Sequence, residues 1–148
     1  MLVKEVMSST VITIDEGENL KAAARKMRDL DIGCLLVCQT DGDLAGIITD
    51  RDITCRGVAD GLDTDAMIVS DVMSKGLIWC NDNENIEDAI RLMENQQIRR
   101  LPVLDAGNKL VGILTLGDIS THLPHNLSGE VIEAVSMPVN RACPVAAS

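Results

Sequence analysis

The apolar and polar positions change period in a readable order along the chain. Val11-Ile12-Thr13-Ile14 is short and β-branched, which predicts a strand. Asp15 to Asn19 is a polar break. Asn19 then stands as an N-cap, with Leu20, Ala23, Ala24, Met27 and Leu30 at helical spacing. Cys34 to Cys38 reads as an apolar strand, Asp41-Gly42-Asp43 as a tight turn, and Leu44 to Thr49 as the returning strand. Asp50 to Ala59 reads as a shorter second helix.

The same order then recurs. Strands are predicted at Leu77 to Cys80, Leu101 to Leu104 and Leu110 to Thr115, with a turn at Ala106-Gly107-Asn108. Helices are predicted at Ile86 to Asn95 and Gly117 to Leu123. Sliding the sequence against itself gives an ungapped match at an offset of 66 residues, as from Val3 to Val69. Val3, Val6, Met7 and Ser8 meet Val69, Val72, Met73 and Ser74, and Leu35, Val37, Gly46, Thr49 and Asp52 meet Leu101, Val103, Gly112, Thr115 and Asp118. The chain is a duplication of one β-α-β-β-α unit, an α+β fold. The expected organisation is unit 1 over 1–60, a polar linker over 61–66, unit 2 over 67–125 and a C-terminal extension over 126–148. That extension holds a short helix over Gly129 to Val135 and a tail with Pro138 and Pro144 that is expected to be loose. Two copies are too few for a solenoid, so the expectation is that they pack together about a pseudo-two-fold axis.

Composition narrows the partners. The 148 residues carry 13 basic and 23 acidic side chains, a formal charge of -10, which disfavours nucleic-acid polymers and anionic membrane. One Trp and no Phe or Tyr leave almost nothing on which single-stranded bases could stack. No apolar run is long enough to span a bilayer, and Met1-Leu2-Val3-Lys4 does not open a signal peptide. Five cysteines with no C-x-x-C pair favour free thiols in a reducing cytoplasm.

Both units close their hairpin with one phrase, Gly46-Ile47-Ile48-Thr49-Asp50-Arg51-Asp52 and Gly112-Ile113-Leu114-Thr115-Leu116-Gly117-Asp118. A hydroxyl and a carboxylate three residues apart, where a strand opens into a helix, suit a helix cap. They equally suit a ligand: the carboxylate can accept two hydrogen bonds from vicinal ribose hydroxyls, while the Thr hydroxyl and free helix N–H groups face a phosphate. Arg51, Arg99 and Arg100 stand out in so acidic a chain. Their forks suit phosphate, although surface carboxylates are the alternative partners. His122 and His125 are separated by Pro124 and lack a cysteine near in sequence, so no metal site is expected there. Cys34, Cys38, Met27 and Met93 read as core. No Walker or dinucleotide-type Gly loop and no nucleophile-His set is found.

The Val-x-x-Val-Met-Ser opening and the Gly-Ile-(Ile/Leu)-Thr-x-x-Asp close resemble the CBS domain, named for cystathionine β-synthase, and the tandem resembles a CBS pair, or Bateman module, from about Val3 to Leu123. Thr49 to Asp52 and Ile98-Arg99-Arg100-Leu101-Pro102-Val103 are typical of stand-alone bacterial members. The resemblance implies two clefts between sheet-packed units that hold adenosine derivatives such as AMP, ADP, ATP or S-adenosylmethionine. It implies that Asp52 and Asp118 hold ribose and that Thr49 and Thr115 fix ribose or phosphate. Thr10, Val11 and Ile12, and Gly76, Leu77 and Ile78, would present backbone to the adenine edge. It also implies a homodimer formed through helices such as Leu20 to Leu30 and Ile86 to Asn95.

The chain departs from the family pattern in places. Pro102 has Leu36 as its counterpart, Trp79 and Cys80 replace small or β-branched residues, and Arg51, Arg99 and Arg100 face Gly117, Gly33 and Cys34 across the repeat. Unequal clefts are therefore expected. The function expected is a non-catalytic, cytoplasmic regulatory module for energy sensing, needing no cofactor, that binds an adenosine nucleotide and signals to a protein partner in trans. The alternatives are S-adenosylmethionine or NAD(H) binding, a purely structural dimerisation module, and a redox- or metal-responsive protein. An enzyme related to inosine monophosphate dehydrogenase is disfavoured, because its catalytic barrel needs on the order of 250 residues.

Overall fold

A computed structural model describes residues 1–61 and 63–137. Its described residues divide into two compact units, Ile12–Leu77 and Met1–Val11 together with 78–137. Each unit therefore joins the body of one repeat to the opening segment of the other.

In the unit Ile12–Leu77, β1 (Thr13–Asp15) runs parallel to β2 (Cys34–Cys38), which pairs antiparallel with β3 (Leu44–Thr49). α2 (Leu20–Leu30) crosses from β1 to β2, and its predicted cap is real: the Asn19 side chain accepts from the Ala22 N–H at 2.7 Å. Leu20, Ala23 and Met27 on α2 pack with Ile14, Leu35, Val37 and Ile48 to form the core. Gly42, at φ +92°, makes the predicted β2–β3 turn. α1 (Val3–Val6) and α4 (Val69–Val72) are single helical turns that the period analysis did not resolve. α4 closes this unit, with Val69 and Val72 fully buried and the Val69 and Ser70 N–H groups donating to the Glu18 and Glu16 carbonyls at 2.7 and 3.0 Å. Ser74 then pairs antiparallel with Ile47 along β3.

The predicted helix over Asp50 to Ala59 is only partly α-helical. α3 (Asp50–Asp52) passes into a π-helical stretch, Ile53–Val58, where Ala59 N–H reaches back to the Thr54 carbonyl at 2.9 Å. Gly57 sits against α2 there; a Cβ would stand 2.9 Å from Leu20 Cδ1. Arg56 reaches from this stretch to the Val72 carbonyl at 3.1 Å, satisfying the end of α4.

The other unit repeats the plan. β4 (Cys80–Asn81) is parallel to β5 (Arg100–Leu104), which pairs antiparallel with β6 (Leu110–Thr115). α5 (Ile86–Gln96) and α6 (Leu116–His122) cover one face, with Cys80, Ile90, Met93, Leu101, Val103, Leu114 and Ile119 in the core. α1 closes this unit as α4 closes its fellow: Val3 and Lys4 N–H groups donate to the Glu84 and Asp82 carbonyls, and Ser8 pairs with Ile113.

Two predicted strands begin late. Strand pairing starts at Thr13 and Cys80 rather than Val11 and Leu77: the Ile12 carbonyl still accepts from the Leu36 N–H at 3.2 Å, whereas Pro102, the counterpart of Leu36, has no N–H to offer Ile78. The predicted C-terminal helix is longer than its pattern: α7 (His125–Ser136) starts directly after Pro124 and buries Val131 and Val135 against α5 and α6. Pro138, Cys143 and Pro144 lie outside the described residues.

Candidate ligand-binding site

The two Thr-x-x-Asp phrases fold alike. Thr49 ends β3 in extended geometry and caps α3, its Oγ1 accepting from the Asp52 N–H at 3.1 Å, while Asp52 Oδ2 accepts from the Thr49 N–H at 2.9 Å. Thr115 and Asp118 repeat the reciprocal pair at 3.2 and 2.9 Å, and Thr115 Oγ1 also donates to Asp118 Oδ2 at 2.9 Å. The capping role is thus realised in both units. It engages one oxygen of each carboxylate; Oδ1 of Asp52 and of Asp118 makes no hydrogen bond among the described residues. All four side chains are half-buried.

Arg100 begins β5 directly opposite Thr115, and the Arg99 carbonyl accepts from the Leu116 N–H at 3.3 Å. Arg99, Arg100, Thr115 and Asp118 therefore share one end of one sheet. In the other unit the same positions are Gly33, Cys34, Thr49 and Asp52, with the Gly33 carbonyl accepting from Asp50 N–H at 3.0 Å. Arg51 is exposed on α3. None of the three guanidinium groups joins an ion pair among the described residues, where the pairs are Lys21–Asp65, Arg28–Asp29 and Arg91–Asp88. Pairing with surface carboxylates, the alternative use for these arginines, is not what this structure shows.

The two backbone segments are each divided between units. Thr10, exposed, and Val11 belong with Thr115, whereas Ile12 belongs with Thr49 and packs on that core. Gly76, at φ +73°, and Leu77 belong with Thr49, and Ile78 packs on the core beside Thr115.

One feature lacked any sequence signal. A hollow of about 440 Å³ is lined by Asn81, Asp82, Asn83, Glu84, Ala106 and Asn108, and Asp82 Oδ1 is buried there without a partner among the described residues. The register Asn81–Leu104–Leu110 puts it at the opposite sheet end from Arg100 and Thr115. Nearby, burial and then the Glu84 carboxylate push the Cys80 thiol up to about 12. Burial, then Asp15 and Asp43, also raise Cys38.

This duplicated architecture, with a Thr-x-x-Asp cap in each half, defines a tandem-repeat α+β protein. The CBS domain family model matches residues 3–56 and 69–125, and the chain belongs to that family. Hypoxic response protein 1 of Mycobacterium tuberculosis is 36% identical over 136 residues, covering 92% of this chain and 94% of its own length. The CBS domain-containing protein YhcV of Bacillus subtilis is 41% identical over 126 residues, covering 85% and 88%. A crystal structure of Hypoxic Response Protein I with two coordinated zinc ions superposes with a TM-score of 0.75 at 38% identity, over 84% of this chain and 100% of that one. An enzyme is also similar, inosine-5'-monophosphate dehydrogenase of Methanocaldococcus jannaschii, at 33% identity over 115 residues, but only 22% of its length is matched.

The zinc ions of that relative prompt a test of fit. Among the described residues no three His, Cys, Asp or Glu side chains gather around a common point. His122 Nδ1 instead lies 2.9 Å from the Asp118 carbonyl oxygen, within its own helix. The described residues do not form a zinc set. Nor is any helix among them long and apolar enough to cross a membrane.

Proposed function

We propose that this CBS pair is a non-catalytic sensor that binds an adenosine nucleotide of the AMP, ADP or ATP class at its Thr-x-x-Asp loops. It works in the cytoplasm as a homodimer and passes the ligand state to a protein partner in trans. The observation that carries this reading is the uncommitted Oδ1 of Asp52 and of Asp118, at the same place in both repeats. Each cap fixes its carboxylate through one oxygen and leaves the other to accept from ribose hydroxyls. Arg51, Arg99 and Arg100, without ion pairs among the described residues, supply the charge that a phosphate needs. Family membership supports a regulatory rather than a catalytic role.

Calorimetric titration with AMP, ADP, ATP, S-adenosylmethionine and NADH tests the reading. Saturable heat from the nucleotides, weakened about tenfold or more in Asp52→Asn with Asp118→Asn, is the expected result. Tighter binding of S-adenosylmethionine or NADH would reassign the ligand. Absence of heat from every adenosine compound would leave a structural dimerisation module in its place.

A further inference from the structure

Trp79 is the chain's single aromatic side chain, and it is 41% exposed. Its neighbours face inward: Cys80 is fully buried in the core, and Ile78 packs against that core. In extended backbone successive side chains alternate, so Trp79 faces the opposite side of the sheet. The pairing of Cys80 with Val103, carried one step back, sets Trp79 beside Pro102, which pairs with Ile113. The other unit shows this pairing directly, where Thr13, the counterpart of Trp79, stands opposite Leu36. Two residues along the same strands, on the same face, Arg100 pairs with Thr115. A strand spacing of about 4.8 Å and a rise of about 3.3 Å per residue put the Trp79 and Thr115 backbones on the order of 12 Å apart. An indole and a purine nucleoside together fill that span.

We propose that Trp79 stacks on the base of the nucleotide whose ribose is held by Asp118. The inference rests on the nucleotide-binding reading and deepens it. Stacking makes the Thr115–Asp118 site the tighter of the two and gives it a preference for purines over pyrimidines, since the larger ring system overlaps the indole more fully. Thr13 gives the Thr49–Asp52 site no such platform.

Because the chain has one Trp, its emission reports on this site alone. The full chain is titrated with AMP, with CMP as control, by fluorescence and calorimetry in parallel. Expected are a saturable emission change with AMP, a much weaker response to CMP, and loss of the change in Asp118→Asn but not in Asp52→Asn. Trp79→Leu should weaken AMP binding about five- to a hundredfold, and Trp79→Phe should restore most of it. AMP heat with unmoved indole emission and wild-type affinity in Trp79→Leu would overturn the stacking role and leave nucleotide binding standing. No heat from any adenosine ligand would overturn both.

Discussion

The Ser8 carbonyl oxygen lies 2.8 Å from the place a Cβ on Gly112 would occupy, and the Ser74 carbonyl oxygen lies 2.7 Å from the same point on Gly46. The glycine of the repeated Gly-Ile-x-Thr phrase is there for backbone clearance: the opening segment of the other repeat pairs along the strand at the next residue, Ile113 or Ile47. Gly112→Ala and Gly46→Ala should each destabilise the protein by about 1–3 kcal/mol, read as a fall in the urea midpoint. Gly129→Ala is the control with opposite sign. Nothing lies within 4 Å of its Cβ position in α7, so alanine there should add up to about 1 kcal/mol.

The shared carboxylate of the cap makes stability and ligand binding separable at one residue. Asp118→Ala removes the acceptor for the half-buried Thr115 N–H and should cost about 1 kcal/mol, or about 2–8 °C in Tm. Asp118→Asn keeps an oxygen for that N–H while losing the charge. It should melt within a degree or two of wild type yet bind adenosine ligands more weakly. Equal melting losses in both variants would show that the charge, and not the cap acceptor, stabilises the turn.

Cys80 predicts an alkaline dependence of stability. Below the ordinary thiol value of 9.0 the group is protonated in both folded and unfolded chains and contributes no pH dependence. Between there and about 12 only the unfolded chain sheds the proton, so the unfolded state gains and stability falls by up to about 1.4 kcal/mol per pH unit. Urea unfolding from pH 8 to pH 11 should give a shallower slope in Cys80→Ala than in wild type. Equal slopes would remove Cys80 as the cause.

α7 has no counterpart in the first repeat. It packs on α5 and α6, where Ile90 is 5% exposed, while the equivalent residue on α2 is the exposed Ala24. A chain ending at Pro124 should uncover that apolar face, raise the fluorescence of a hydrophobic dye and lower the melting temperature. The same dye signal with and without α7 would mean the helix adds length and no cover.

Much of this was legible in the residues, and the remainder has a common cause. Val3/Val69 through Ile53/Ile119 declare the duplication, α2 and α5 show in their apolar spacing, and Thr49–Asp52 shows as a cap. α1 and α4 were missed because four residues are too few to display a period. The start of α7 was missed because His125, Asn126, Ser128 and Gly129 are weak helix formers that tertiary packing overrides. Which repeat each opening segment packs on was not readable at all. Val3-x-x-Val6 and Val69-x-x-Val72 are identical, so either copy would fit either groove, and only connectivity decides. That Arg51, Arg99 and Arg100 join no ion pair among the described residues was equally hidden, since 23 acidic residues offered partners in abundance.

The exchange of opening segments has a consequence for how the protein is made. Met1–Val11 is made before Ile12–Leu77, but the unit it belongs to resumes only at Ile78. The body of the first repeat likewise waits for Val69–Val72 to leave the ribosome before its core can close. A nascent chain therefore carries Met1–Val11 unmatched while the whole of Ile12–Leu77 is made. Neither repeat can be cut out as a continuous stretch of coding sequence and keep its compact unit whole without taking part of its twin.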